Sequence, residues 1–275
     1  MILLAPAMVM HADSAARQDV LAWRERQDRK MRGEHSPFAA DHVEILGRER
    51  NTIGSAADAA VRLPDAGIPA IAGEVVLRNG EAVLVAASPE LKVNGKFEKE
   101  RVLAAEDWIS LGQYRLQLRR PDGKAALRVS NLKGQAMLGY RGLKYFDIDE
   151  RYRVPARFTE SLGQQEVTVD SSKGGPQRLP YAGKLSFELL GKPYTLDAFI
   201  DGDEPEALFV IFRDATSGRE SYGVGRYIYV ECTATGQTIL DFNKAFNPLC
   251  AYGPLFFCPI PPKQNDLPVR IPVGE

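Results

Sequence analysis

The chain has 275 residues, of which 44% are hydrophobic, and its 35 Lys and Arg against 36 Asp and Glu leave a net charge of −1. Such a composition predicts a soluble globular protein with a sizeable core, built as two domains or one large all-β domain. A balanced charge without a basic run argues against nucleic acid as a partner. Three cysteines, an odd number, favour a reducing compartment.

The N-terminal stretch MILLAPAMVM is apolar but lacks the positive charge that begins a secretory signal, and it is too short to span a bilayer. We therefore expect residues 1–12 to be a leader and the protein to be cytoplasmic with no membrane partner. An extracytoplasmic location stays open if this stretch belongs to a signal. Residues 13–31 predict a surface helix that begins at Asp13 or Ser14 and is anchored by Trp23. The leader, the helix and a linker together fill residues 1–41.

Residues 42–120 show short apolar runs separated by turn residues such as Asn79-Gly80 and Asn94-Gly95. This spacing is typical of an antiparallel sandwich or barrel. The predicted strands are 43–46, 74–77, 82–86, 91–93, 108–111 and 114–118.

The segments NTIGS at 51–55, VNG at 93–95 and DWISLG at 107–112 resemble the forkhead-associated domain. The resemblance implies a β-sandwich over residues 42–120. In that family an Arg, a Ser and an Asn hold a phosphothreonine, and a His supports the site. Here Ser55, Pro69 and Ala72 stand at the Arg, Ser and His positions, so no guanidinium can form bidentate contacts with the phosphate. We predict that this domain does not bind phosphothreonine peptides.

A connector over residues 121–144, with a turn at 121–123 and a predicted strand within 124–144, leads to a second β domain over 145–275, in which helix-period segments are absent. Its predicted strands are 152–158, 166–169, 184–190, 194–200, 207–212, 226–232 and 237–242. The predicted fold class is therefore all-β, with two antiparallel β domains and one N-terminal helix. The second domain is expected to be a barrel or sandwich closed by a proline-rich irregular segment.

That segment, residues 240–275 and called the C-terminal segment below, combines prolines with many aromatic residues. Prolines disfavour helix, and the aromatic side chains require burial, so the segment is either a strap over the core or the wall of a site. Its motifs DFN at 241–243, NPLCA at 247–251 and CPIPP at 258–262 resemble the bacterial family named domain of unknown function 1684, as does GKPYTLDAF at 191–199. One departure is Gln264, where that family carries Glu before Asn265. The resemblance implies no activity or cofactor.

Histidine occurs only at positions 11, 35 and 42, so the second domain contains no Ser-His-Asp triad, Cys-His pair or His-containing zinc set. Cys232, Cys250 and Cys258 are too few for a four-cysteine zinc site, and we predict no metal and no cofactor. For Cys250 and Cys258, packing as buried thiols, a disulfide, and reactive or metal-binding thiols all remain open.

The polar residues that remain are the candidate site. Arg226, Asp241, Asn243 and Asn247 are predicted to line a ligand pocket under the C-terminal segment, with the arginine orienting a carboxylate or sugar-like ligand. The competing interpretation is structural, because Asp and Asn side chains often close irregular turns. For an enzyme, Glu220 and Asp241 would serve as acid and base, or Cys250 as nucleophile.

Three hypotheses follow for the function. The first is a module that binds a small molecule or a protein and does not bind phosphothreonine. The second is a hydrolase-like enzyme that uses Glu220, Asp241 or Cys250. The third is a structural scaffold.

Overall fold

The computed structural model describes residues 14–202, 204, 206–231 and 235–275. Predictions for residues 1–13 and for Cys232 lie outside this part. The described residues form an N-terminal unit, Arg29–Gly142 with Tyr252–Phe256, and a C-terminal unit of residues 14–28, Leu143–Ala251 and Phe257–Glu275. Most regular structure in both units is β-strand, which confirms the all-β prediction. No described helix has the length and apolar character needed to cross a membrane.

The predicted N-terminal helix is confirmed as α1, Ala15–Arg32. Ser14 is its cap, since its hydroxyl oxygen accepts a hydrogen bond from the backbone N–H of Arg17 at 3.1 Å. Trp23 packs edge to face against Tyr145 with 6.1 Å between ring centroids, so the anchor predicted for the helix lies within the C-terminal unit. A second, single-turn helix α2 spans Gln135–Gly139.

The N-terminal unit contains ten strands in two five-stranded sheets. In chain order they are β1 Ala40–Ile45, β2 Arg50–Gly54, β3 Val61–Arg62, β4 Gly73–Arg78, β5 Glu81–Ala86, β6 Lys92–Val93, β7 Glu100–Val102, β8 Trp108–Leu111, β9 Tyr114–Arg119 and β10 Ala126–Asn131. One sheet has the order β1-β10-β9-β8-β6 and the other β3-β2-β4-β5-β7. Their buried faces share one hydrophobic core, which confirms the predicted sandwich.

The two Asn-Gly turns behave as the sequence indicates. Asn79 and Gly80 have φ of 50° and 82°, and Asn94 and Gly95 have φ of 50° and 79°. Two successive positive φ angles are the geometry of a tight turn between antiparallel strands, and Asn-Gly is the pair that adopts it at least cost.

Strand β10 lies in the stretch predicted as strand and connector, and it pairs with both β1 and β9. Leu127 and Val129 point into the core, so the sandwich extends beyond residue 120. Strands β2, β3 and β7 were not predicted because they are short and contain few apolar residues, so that pairing to neighbours rather than local pattern creates them.

The described residues of the C-terminal unit form one antiparallel sheet of six strands, in the order β15-β14-β13-β12-β11-β16. The strands are β11 Arg153–Asp170, β12 Pro176–Leu189, β13 Lys192–Ile200, β14 Leu208–Phe212, β15 Arg226–Val230 and β16 Gln237–Asp241. The C-terminal segment packs on this sheet as a second layer. Phe242, Ala245, Leu267, Ile271 and Val273 of this segment join the core of the sheet, as the predicted strap requires.

Candidate functional site

The C-terminal unit has a cleft of about 1030 Å³ beside strands β11, β15 and β16. Clefts of this volume lie at the upper end of the range of small-molecule sites. Its apolar lining includes Pro155, Ile228 and Ile239, and Tyr229 adds an aromatic ring. Its charged lining consists of Asp19, Arg153, Arg157, Glu231, Asp241 and Lys244.

Asp241 is a predicted site residue that lines this cleft. It closes strand β16 and is paired in register with Arg153 of β11, so both side chains lie on the same face of the sheet. The Asp241 Oδ1 atom accepts hydrogen bonds from the backbone and side-chain nitrogens of Asn243 at 3.0 and 2.9 Å. The Oδ2 atom is buried without a hydrogen bond and lies 3.5 Å from Arg153 Nε. This buried oxygen therefore has the Arg153 guanidinium beside it but no hydrogen-bond donor.

Asn243 holds the turn that positions Asp241. Its Oδ1 atom accepts from the backbone N–H of Asp149 at 2.9 Å, and its Nδ2 donates to the Asp149 carbonyl at 3.0 Å. Asn243 is only 1% exposed. Its side chain satisfies the backbone N–H and carbonyl of Asp149, as a neighbouring strand would do in a sheet. These contacts agree with the interpretation that Asn243 stabilises an irregular turn rather than binding a ligand.

The charges along the cleft are partly paired. Lys244 Nζ lies 2.6 Å from the Asp19 carboxylate, and Arg153 lies beside Asp241. Arg157 stands two strand positions beyond Pro155 on the same face of β11 as Arg153. The sequence reasoning missed both arginines, although their alternation in RYRVPARF is a signal that they share one face of a strand.

Arg226 lies elsewhere, fully buried at 0% exposure. Its guanidinium donates to Asp214 Oδ1 at 3.1 Å and to the backbone carbonyls of Ile271 at 2.8 Å and of Val273. Burial lowers the pKa of Arg226, and the Asp214 carboxylate partly offsets that effect. Arg226 thus ties the loop before β15 to the C-terminal segment.

Asp214 is the partner that the sequence analysis did not place in the site. Its Oδ2 atom accepts from the backbone N–H of Ile271 at 2.7 Å, and both of its oxygens accept from the Thr216 hydroxyl. The carboxylate is thus fully used within the protein. Its position in the turn after β14 follows the pattern of Asp side chains that close loops.

Asn247 and Glu220 also lie outside the lining of the cleft. The backbone N–H of Asn247 donates to Glu275 Oε2 at 3.1 Å, while its own Oδ1 is buried without a hydrogen bond. Glu220 forms an exposed, two-pronged ion pair with Arg270, whose hydrogen bonds hold the pKa of Glu220 below its usual value. Glu220 and Asp241 therefore do not line one cleft as an acid and base pair would.

Cys250 and Cys258 lie together at the edge of the C-terminal unit as free thiols. The backbone N–H of Cys250 donates to Cys258 Sγ at 3.1 Å. Tyr222 donates its hydroxyl proton to the Cys250 carbonyl oxygen at 3.2 Å, with the Cys250 sulfur 3.7 Å away. Among the described residues no group of three or more His, Cys, Asp or Glu is arranged to hold a metal ion.

A second polar cluster surrounds Asp197, which the sequence analysis did not consider. Asp197 is only 5% exposed, and its carboxylate accepts from Lys184 Nζ at 2.7 Å and from Gln264 Nε2. The neighbouring Asn265 is fully buried and bonds to the backbone of Asp197 and to the Ile211 carbonyl. Gln264, the departure from the family pattern, thus contributes an amide donor beside a carboxylate.

In the N-terminal unit, the structure shows the contacts of Ser55 and Ala72, predicted at phosphate-site positions, and of Asn94, predicted at a scaffold position. The Ser55 hydroxyl donates to the Ile68 carbonyl at 2.7 Å, and Ala72 is fully buried. Asn94 donates to Asp107 Oδ1 at 2.7 Å and accepts from the backbone N–H of Trp108 at 3.0 Å.

The family described as protein of unknown function DUF1684 matches residues 138–275. An uncharacterised protein of Haloarcula marismortui, with a solution NMR structure, is 38% identical, covering 51% of this chain and 79% of its own, with a TM-score of 0.43. No curated protein matches the chain.

Two solved forkhead-associated domains are also similar. One, studied for phosphothreonine-dependent interactions, is 25% identical over 32% of this chain and 92% of its own, with a TM-score of 0.24. The other, from FhaA, is 26% identical over 32% of this chain and 96% of its own, with a TM-score of 0.24. Since the DUF1684 match covers half of the sequence, the chain belongs to this family of proteins of unknown function.

Proposed function

We propose that the C-terminal unit binds a small polar ligand in the cleft beside β11, β15 and β16. The ligand class is a small acid that also carries a hydroxyl or amino group. The observation that carries this proposal is the buried Asp241 Oδ2, which has no hydrogen bond although its residue lines the cleft.

A buried acceptor without a hydrogen bond is costly, by about 1–3 kcal/mol, and more for a charged group. The Arg153 Nε atom at 3.5 Å offsets part of that cost through its charge but is too distant for a good hydrogen bond. A hydroxyl or ammonium group of a ligand would supply the missing donor. Asn243 keeps the carboxylate in place for this contact by occupying Oδ1.

The ligand's acid group follows from the charges of the cleft. Once Lys244 is paired with Asp19 and Arg153 with Asp241, Arg157 is the lining cation without an ion pair among the described residues. A guanidinium binds a carboxylate through two parallel hydrogen bonds, which fixes orientation as well as adding affinity. The apolar side chains of Pro155 and Ile239 would contact the ligand's carbon skeleton.

The test is a thermal-shift screen of hydroxy acids, amino acids and sugar acids, followed by calorimetric titration of the best binder. Asp241→Asn keeps the shape of the side chain but replaces one carboxylate oxygen with an amide nitrogen, which donates. Arg157→Gln removes the guanidinium that would bind the ligand's carboxylate. Each should weaken binding at least about tenfold, since hydrogen bonds to charged groups contribute about 1.5–3 kcal/mol. Arg178→Gln is the matched control, because Arg178 is an exposed arginine of β12 outside the cleft.

Binding that is equally strong in the parent, Asp241→Asn and Arg157→Gln proteins would place the ligand elsewhere. A screen in which no acid of these three classes raises the melting temperature would count against the proposed ligand class. Circular dichroism of each variant separates lost binding from lost folding.

We also propose that the N-terminal unit does not bind phosphothreonine peptides. The support is that Ser55, Pro69 and Ala72 provide no guanidinium, and the Ser55 hydroxyl is used by the Ile68 carbonyl. Titration of the full chain with a phosphothreonine peptide library checks this. Selective binding that is lost with the unphosphorylated peptides would refute it.

A further inference from the structure

Cys250 and Cys258 are two free thiols that lie close together in the C-terminal segment. The Cys250 backbone N–H donates a hydrogen bond to Cys258 Sγ at 3.1 Å. The Cys258 backbone is held on both sides, because its N–H donates to Ser172 Oγ at 3.1 Å and its carbonyl accepts from the Ser172 N–H at 2.9 Å. The Cys258 sulfur is thus in contact with the Cys250 residue at a point where the backbone of the C-terminal segment is held in place.

The two thiols differ in access to solvent. Cys250 is partly exposed, whereas Cys258 is only 5% exposed. Burial raises the pKa of the Cys258 thiol to about 12, and burial likewise raises that of the neighbouring Tyr222 to about 12. An oxidant from solvent therefore meets Cys250 first, with Cys258 behind it.

We propose that Cys250 and Cys258 are a peroxide-sensitive pair that closes reversibly into a disulfide, with Cys250 as the attacking thiol and Cys258 as the resolving thiol. The basis is their contact together with their unequal exposure. This modification site is independent of the cleft, whose lining includes neither cysteine.

The chemistry balances in two steps. The Cys250 sulfur gives an electron pair to one oxygen of hydrogen peroxide, the O–O bond breaks, and a sulfenic acid and water form. The Cys258 sulfur then attacks the Cys250 sulfur, the S–O bond breaks, and the leaving hydroxide takes the Cys258 proton as a second water. Two thiols and one hydrogen peroxide thus become one disulfide and two waters.

The experiment uses the full chain with hydrogen peroxide as the probe. After acid quenching, unfolding and alkylation, trypsin releases both cysteines in one peptide, residues 245–263, because no Lys or Arg lies between them. Cys232 falls in a separate peptide, residues 227–244. We expect the 245–263 peptide to lose two hydrogen atoms and both alkylation sites after oxidation, and dithiothreitol to restore both.

Two variants assign the roles of the thiols. In Cys258→Ala, dimedone should trap a sulfenic acid on Cys250, and in Cys250→Ser, oxidation of Cys258 should be at least about tenfold slower than that of Cys250 in the parent. If a variant fails to fold, the mass measurement on the parent protein still tests whether the disulfide forms. Full alkylation of the 245–263 peptide after peroxide, a sulfinic acid on Cys250 without the disulfide, or a link to the 227–244 peptide would each overturn the proposal.

Discussion

The contacts of Arg226 permit a quantitative test of what holds the C-terminal segment on the sheet. Replacing Arg226 with Met removes a buried guanidinium while keeping a long apolar side chain. The change breaks the ion pair with Asp214, in which both side chains are 0% exposed. It also leaves the carbonyl groups of Ile271 and Val273 without their donor.

The expected loss of unfolding free energy is about 4 kcal/mol, because breaking a buried pair by removing one partner costs about 3–5 kcal/mol. Most of that cost is the buried Asp214 carboxylate left without a counter-ion. Its remaining hydrogen bonds to the Ile271 N–H and to Thr216 stabilise it in part. A loss of this size is a large share of the total stability of an ordinary domain, about 5–15 kcal/mol.

The assay is urea unfolding followed by tryptophan fluorescence. A Trp108→Phe background leaves Trp23, which belongs to the C-terminal unit, as the only fluorescent tryptophan. The control is Arg178→Met, which breaks an exposed pair with Glu166 at 3.6 Å and should cost under about 1 kcal/mol. Adding Asp214→Asn to Arg226→Met should cost less than the sum of the single changes, since it removes the uncompensated charge.

If the unfolding free energies of Arg226→Met and Arg178→Met, obtained from urea unfolding, differ by under about 1 kcal/mol, Arg226 does not hold the C-terminal segment on the sheet. Additive losses in the double variant would equally contradict the argument from an uncompensated charge.

Three further predictions concern both units. Asn265→Ala should destabilise the C-terminal unit by about 3 kcal/mol, because it removes three buried hydrogen bonds to β13 and β14. Gly54→Ala should destabilise the N-terminal unit by more than about 2 kcal/mol, since the added Cβ would lie 2.1 Å from the Ala70 carbonyl oxygen. The Asp107 carboxylate should make the N-terminal unit less stable at low pH: burial alone would raise its pKa, but hydrogen bonds from the Ala104 N–H, Asn94 and Arg101 lower it overall. Since the folded-state pKa lies below the unfolded value, this contribution is present above about pH 4 and is lost as the pH falls through the folded pKa.

Each has its own measurement. Urea unfolding with Trp23 fluorescence tests Asn265→Ala, and a loss below about 1 kcal/mol would show that water replaces the amide. Gly47→Ala is the control for Gly54→Ala, because its added Cβ meets no atom within 4 Å; equal melting temperatures for the two would contradict the predicted clash. For Asp107, a Trp23→Phe background leaves Trp108 to report on the N-terminal unit, and Asp107→Asn should flatten the pH dependence of its unfolding. An unchanged slope in that variant would assign the acid sensitivity to other groups.

Local features of the chain were readable without the structure. Runs of apolar residues predicted most strands of the C-terminal unit, although β11 was predicted as two separate strands and β12 only from residue 184. The two Asn-Gly turns follow from the low cost of positive φ at those residues. The burial of the C-terminal segment also followed, since its aromatic side chains cannot remain in water. The short strands β2, β3 and β7 could not be predicted in this way, because pairing with neighbouring strands defines them.

The candidate site was only partly readable. The sequence indicated Asp241, Asn243 and Arg226 as polar residues in unusual surroundings, and it treated them as one set. The structure separates them: Asp241 lines the cleft, while Arg226 is enclosed by its own ion pair and backbone carbonyls. Arg153 joins Asp241 through the antiparallel register of β11 and β16.

By itself, then, the sequence determined the all-β class, the principal strands, the N-terminal helix and the family, because these depend on local periodicity, turn chemistry and motifs within short stretches. Only the tertiary structure decided which polar side chains share a surface. Residues distant along the chain meet through strand register and through the path of an irregular segment, and no local pattern encodes either. For this reason Cys250 and Cys258 could be counted from the sequence, whereas their contact, and the unequal exposure on which their proposed chemistry depends, required the fold.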